Sequence, residues 1–217
     1  MPELNLLEKI IVWAIPVVFA ITVHEVAHGW VANYLGDSTA KSLGRLTLNP
    51  IKHIDPIGTV ALPLLLVYLG GFIFGWAKPV PVTWQNLGSP RRDMALVAAA
   101  GPIANLVMLL LWAVFAKLIL FFSPDPGRLV QFILVMCSIG IIINIVLMVL
   151  NLFPLLPLDG GRVVTSLLPP RFAVLYSRME PFGLIIILVM LATGVLANIL
   201  MPVVSGLEAV IYNLINS

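Results

Sequence analysis

Residues 4 to 34 read LNLLEKIIVWAIPVVFAITVHEVAHGWVANY, from Leu4 to Tyr34. The stretch exceeds the roughly 20 apolar residues needed to cross a bilayer, yet it carries His24, Glu25 and His28 in the order H-E-x-x-H. Ionisable and metal-binding side chains are costly in hydrocarbon, so this cluster needs a physical reason. A metal ion supplies one. At about 3.6 residues per turn His24 and His28 share one helix face, one turn apart, and both imidazoles can address a single ion. Glu25, about 100° around the helix from His24, stands beside that ion rather than on it. Two interfacial histidines at a helix end are the plainer alternative, but they leave Glu25 in an apolar helix without a role.

The rest of the composition agrees with hydrocarbon as the solvent. Hydrophobic residues make up 60% of the 217 and charged residues 10%, with a mean hydropathy of +1.08, far from a soluble domain. A net charge of +2 is too small to suggest a nucleic-acid partner, and the single cysteine, Cys137, excludes an intramolecular disulfide. Residues 4–30 are too long for a removable signal peptide and lack its small-residue cleavage site. Apolar blocks fall near residues 4–32, 57–76, 94–122, 129–153 and 181–201. The connecting segments are too short to fold separately. The expected fold is therefore an all-α polytopic membrane protein, a single domain over residues 1–217, with about four transmembrane helices plus a re-entrant segment with a short extended strand-like loop. Residues 203–217 fit either an interfacial segment or a final short helix.

A catalytic zinc normally takes three protein ligands and keeps one position open. Asn151 to Arg162 reads NLFPLLPLDGGR and closes the fourth apolar block, and its Asp159 is the natural third ligand. Pro154 and Pro157 interrupt the helix, while Gly160 and Gly161 permit a sharp turn just after the carboxylate. Irregular backbone at membrane depth is tolerated where it is buried in protein or lines a wet cavity. A simple surface turn is the alternative for this segment taken alone.

His24-Glu25-x-x-His28, Gly101-Pro102-x-x-Asn105 and Asn151-x-x-Pro154-x-x-Pro157-Leu158-Asp159-Gly160-Gly161 together resemble the site-two protease family of intramembrane zinc metalloproteases. The resemblance runs from about residue 20 to 165. It implies one zinc ion per chain on His24, His28 and Asp159, Glu25 as catalytic base, a transmembrane protein or peptide as substrate, and a lipid environment. The sequence leads us to expect a minimal form, with no PDZ-like insertion, no nucleotide-sensing CBS domain after Ser217 and no span before the H-E-x-x-H helix. Substrate selection is then expected from the membrane core, a partner or prior trimming.

The chemistry needs further groups. An oxyanion donor is expected at Asn105 or Asn151, because an amide in an apolar helix is costly without a partner. A helix-to-helix hydrogen bond is the alternative for each. A helical substrate must also be unwound before its carbonyl can be attacked. Lys78-Pro79-Val80-Pro81 is a candidate for pairing with an opened substrate by strand addition, because its prolines forbid helix; a Pro-rich interfacial loop is the other reading. His53 could be a fourth ligand, a substrate-positioning group, a brace behind a ligand or a plain loop histidine, and the last two fit better because zinc needs an open position. Arg45 is expected to pair with Asp37 or Asp55. A membrane metal transporter or non-catalytic metal-binding protein is the rival class, but a transport path needs a series of ligands, and the chain has three histidines.

Topology follows from the need of His28 and Asp159 to meet. If blocks two, three and four all crossed the membrane, those two residues would face opposite sides. Letting residues 57–76 re-enter places Lys41, Arg45, Lys52, Lys78, Arg91, Arg92, Arg162, Arg171 and Arg178 on one side against Lys9 and Arg128 on the other, with Lys117 snorkelling. By the positive-inside rule the site is expected nearer the cytoplasmic side of a prokaryotic cell membrane.

Overall fold

The computed structural model describes residues 4–61, 75, 77–123 and 127–216. Among them the regular elements are helices: α1 (Leu6–Tyr34), α2 (Thr39–Ser42), α3 (Pro90–Phe122), α4 (Arg128–Asn151), α5 (Asp159–Leu167), α6 (Pro170–Ser177), α7 (Glu180–Ala192) and α8 (Val195–Asn216). No strand occurs among the described residues. Helices α1, α3, α4 and α8 are long and apolar enough to span a membrane. At 1.5 Å per residue α1 is about 43 Å long, more than the hydrocarbon thickness of about 30 Å. Trp13, Phe19, Leu111 and Phe115 lie exposed on these helices, as expected where lipid rather than water covers the outer surface.

Named contacts fix how the spans run. Asn5 and Glu8 form a reciprocal capping box at the start of α1, and Glu8 pairs with Arg128 at the start of α4 at 3.0 Å. Lys117, near the end of α3, donates to the Leu214 carbonyl near the end of α8. These four ends form a terminal face. At the opposite, loop face, Gly88 N donates to Leu35 O at 3.2 Å, and Arg91 at the start of α3 donates to the Ser166 carbonyl at the end of α5. The helices α1, α3, α4 and α8 thus alternate in direction.

This arrangement excludes a single crossing by the second apolar block. Lys78 N donates to His53 O at 2.9 Å, so the chain returns to the place it left. Most of the expected re-entrant stretch, residues 62–74 and 76, lies outside the described residues.

The last span differs from the expectation. The apolar run 181–201 is not one helix: α7 stops at Ala192, and Gly194 takes a left-handed φ of 75°. The spanning element is α8, which includes the segment left open above. Leu196 packs in a cluster with Leu155 and Ile187 near the loop face, while Ile211 and Ile215 join Ala113 and Ala116 towards the terminal face. Hydropathy runs straight through this break because it does not register backbone conformation, and glycine makes the left-handed turn cheap. Helices α6 and α7, bent by 60° relative to each other, begin and end at the loop face.

Between the spans, small residues allow close approach. A Cβ on Gly140 of α4 would lie 2.6 Å from the Trp112 indole of α3, so only glycine lets these helices pack at this level.

Candidate metal centre

Each ligand atom reaches the centre for a local reason. His24 and His28 lie on α1 one turn apart, with rings 4.6 Å between centroids. Asp159 opens α5 after an irregular turn through residues 152–158, where the prolines deny the chain a continuous helical ladder. The glycines that follow serve a different purpose from the sharp turn expected of them. Neither Gly160 nor Gly161 has a positive φ. A Cβ on Gly160 would meet the Leu152 carbonyl and one on Gly161 the Leu156 nitrogen, so their absence of side chains lets α5 press against the turn and carry Asp159 inward.

The three side chains converge. His24 Nε2 is 3.0 Å from His28 Nε2, and the two lie 3.2 and 3.3 Å from Asp159 Oδ2. His28 Nδ1 is 2.7 Å from the Val97 carbonyl. A carbonyl only accepts, so Nδ1 carries the proton and Nε2 of the neutral ring presents a lone pair. His24 Nδ1 faces Asn105 Oδ1 at 2.6 Å, which places its proton and lone pair the same way. Asp159 Oδ2 is buried and accepts no hydrogen bond. Three electron-pair donors therefore point at one another with no proton between them, an arrangement that repels unless a cation sits there. Ligands at about 2.0–2.1 Å from a tetrahedral zinc stand about 3.3–3.4 Å apart, close to the observed edges. The residues fit zinc, and among the described residues this is the one group of three that could hold a metal ion.

Helix α3 forms the wall beside the two imidazoles. A Cβ on Gly101 would meet His28 Nε2 and lie 2.5 and 2.6 Å from His24 Cε1 and Nε2. Pro102 then removes the N–H that would bond the Ala98 carbonyl, interrupting the helical ladder at the level of the histidines. One turn on, Asn105 is fully buried. Its Nδ2 donates to Asn144 Oδ1 at 2.8 Å, and Asn144 Nδ2 donates to the Gly140 carbonyl at 2.7 Å. The sequence reading passed over Asn144, although the cost of an amide in an apolar helix singles it out as much as Asn105. Asn151 stands apart from this chain of bonds; its Nδ2 donates to Leu147 O within α4.

Glu25 Oε2 accepts from Val80 N at 2.8 Å. Residues 77–83 have no regular secondary structure and lie as a strap across the loop face. Arg45 donates to the carbonyls of Lys78 at 3.0 Å and Pro79 at 3.4 Å, in place of the expected pairing with Asp37 or Asp55: main-chain carbonyls of the strap are nearer than either carboxylate. His53 is buried with Nε2 donating to the Thr47 carbonyl at 2.9 Å. It is not among the three converging ligands, and its own carbonyl receives Lys78 N. Val82 makes no hydrogen bond among the described residues.

The strap's far end is tied to Asp37, which is fully buried and accepts from Thr83 N at 2.7 Å, Asn86 Nδ2 at 3.0 Å, and the amide and hydroxyl of Thr39. Burial opposes its charge, but the bonds from Thr39, Asn86 and Thr83 outweigh it and hold the carboxyl below its ordinary range.

Comparison with known proteins gives the same direction. The family model described as peptidase family M50 matches residues 12–197. A Bacillus subtilis protein named as a zinc metalloprotease, YwhC, is 39% identical over 195 residues, 88% of this chain and 85% of the relative. Proteins of Mycolicibacterium smegmatis and Mycobacterium tuberculosis, both named as zinc metalloprotease Rip2, are 31% and 29% identical over 178 and 171 residues. These matches cover 82% and 79% of this chain and 65% and 62% of the relatives. No solved structure matches the chain significantly.

Proposed function

This chain belongs to peptidase family M50 and is a multi-pass membrane metalloprotease of the site-two type, and we propose that it hydrolyses peptide bonds of transmembrane or membrane-associated segments with one zinc per chain on His24, His28 and Asp159. The observation that carries this reading is the convergence of two imidazole lone pairs and a carboxylate oxygen, 3.0–3.3 Å apart, with no proton to separate them. Zinc bound there would make its water far more acidic and would act as a Lewis acid for the scissile carbonyl. Glu25 would accept a proton from the attacking water as a C–O bond forms to the carbonyl carbon, and would return it to the amide nitrogen as the C–N bond breaks. Val80 N–H holds Oε2 and so aims the carboxylate.

Asn151 is the better candidate for the oxyanion donor, because Asn105 is engaged at both ends of its amide by His24 and Asn144, whereas Asn151 Nδ2 keeps a second N–H beyond its bond to the Leu147 carbonyl. The substrate lies extended along Val80 to Val82, where Val82 offers both backbone groups. Lys78, Pro79 and Pro81 keep that edge from coiling, while Arg45 and Glu25 hold its inner side. The centre is set nearer the loop face. His24 and His28 stand about 9–15 Å from the C-terminal end of α1 and about 27–33 Å from its start, at 1.5 Å per residue. The loop face carries nine of the twelve Lys and Arg residues, which supports reading it as the cytoplasmic face of the membrane.

The test is purified protein in nanodiscs with a transmembrane peptide, comparing wild type with Glu25→Gln. Zinc content should stay the same while cleavage falls by about 10²–10⁴-fold, the usual range for a general base. Undiminished cleavage would remove Glu25 from the role, and undiminished zinc in Asp159→Ala would remove the third ligand. Zinc bound without any cleavage by wild type would favour the metal-binding alternative.

A further inference from the structure

Two imidazoles can present Nε2 to one ion only if both keep their proton on Nδ1. For His28 the Val97 carbonyl enforces this, because it cannot donate. For His24 the neighbour is an amide, and an amide is ambiguous: Asn105 offers an oxygen or, turned over, an NH₂ group. If the NH₂ faced His24, the imidazole would accept at Nδ1 and carry its proton on Nε2, closing that nitrogen to a metal. Something must choose the orientation.

The choice is made one helix away. The Gly140 carbonyl only accepts, so Asn144 must turn its Nδ2 towards it, at 2.7 Å. That leaves Asn144 Oδ1 facing Asn105, which must answer with Nδ2, at 2.8 Å. Asn105 Oδ1 is then left for His24 Nδ1, at 2.6 Å. Both asparagines have no solvent exposure, so water cannot relieve a reversed amide, and reversing either one sets two donors or two acceptors face to face. Gly140 lies four residues before Asn144 on α4, so the helix itself holds this carbonyl within reach of the Asn144 amide.

We propose that Asn144 is a positioning residue of the metal centre: anchored on the Gly140 carbonyl, it orients Asn105 and thereby locks His24 with its proton on Nδ1 and its Nε2 lone pair on the metal. This rests on the metalloprotease reading and extends it to a residue on a third helix that touches neither metal nor substrate. Partners that orient a metal-bound histidine typically contribute about 10–100-fold in affinity.

The experiment measures zinc affinity by competition with a chromophoric chelator for the whole protein in nanodiscs. Asn144→Leu should lose about 10–100-fold. Asn105→Asp needs no orientation chosen for it but sets its second carboxylate oxygen against Asn144 Oδ1, so adding Asn144→Leu in this background removes that clash and should leave zinc affinity unchanged or raise it. Equal losses from Asn144→Leu in both backgrounds would mean that Asn144 only packs, and would overturn the proposal. A second measurement needs no variant in the relay. In ¹⁵N spectra of wild type, with and without zinc, His24 must carry its proton on Nδ1; a bare Nδ1 there overturns the relay whatever the variants do. Wild type that binds no zinc would instead sink the metalloprotease reading, so the two failures are distinguishable.

Discussion

Gly101→Ala tests the centre with a single methyl group. On the present backbone that methyl would meet His28 Nε2 and stand 2.5 and 2.6 Å from His24 Cε1 and Nε2, where ordinary carbon contacts begin at about 3.4–3.5 Å. The rings must therefore retreat by close to 1 Å, or α3 must move by as much. Retreat of the rings is hindered because both are tethered through Nδ1, to Val97 O and Asn105 Oδ1. Movement of α3 carries those same tethers with it. Zinc sites tolerate departures of about 0.2 Å in ligand distance, several times less than the displacement required. We expect zinc affinity to fall by about 100-fold or more, about 2.8 kcal/mol on the scale of 1.4 kcal/mol per tenfold, with cleavage lost in parallel. Gly206→Ala in α8 is the control: a Cβ there has nothing within 4 Å, and alanine in a helix is better than glycine by about 0.5–1 kcal/mol. Chelator competition and peptide cleavage in nanodiscs read both variants. Gly101→Ala protein that binds zinc within about threefold of wild type would refute the placement of α3 against the imidazoles, since about 0.7 kcal/mol is too little for such a clash.

Three further outcomes follow from other parts of the molecule. In Gly29→Ala a Cβ would lie 2.6 Å from Leu46 and 2.7 Å from Val80, pushing the strap off Glu25; cleavage should fall by about tenfold or more with zinc content unchanged, the mark of a misaimed base rather than a lost metal. Asp37 has a folded pKa below its unfolded value near 3.9, so the stability it confers is present above about pH 4 and is lost as the pH falls through the folded value. Thermal unfolding followed from pH 7 to pH 3 should show that loss in wild type and a smaller one in Asp37→Asn, which starts lower; equal slopes would remove Asp37 as the source. Lys52→Cys and Lys78→Cys should label from the same side of sealed vesicles, against a low background because Cys137 is buried; labelling from opposite sides would overturn the return of the chain between His53 and Lys78.

Much of the molecule was legible in the order of its residues because the bilayer imposes strong local rules. Apolar length marked the first, third and fourth blocks, and they became α1, α3 and α4 with small changes at their ends. Helical periodicity placed His24 and His28 together, and the need of a catalytic zinc for a third protein ligand pointed to Asp159 before any contact was known. Parity required an even number of crossings between the first and third blocks, and the contacts of His53 with Lys78 and Leu35 with Gly88 satisfy it. The last span was misplaced because its boundary rests on one left-handed glycine, Gly194, which a hydropathy average cannot distinguish from any other small residue.

What the sequence by itself determined is the membrane setting and the chemical types in the centre, since both follow from periodicity and from the cost of polar groups in lipid, properties of single segments. Only the tertiary structure decided what those groups touch: that Gly101 and Gly140 are close-approach positions, that Glu25 is held by Val80 N–H, and that Asn105 and Asn144 join His24 to a carbonyl on α4. The physical reason is directional. A hydrogen bond or a metal bond needs a particular lone pair at a particular angle, and in this chain those directions are set by contacts between residues 39 to 135 positions apart.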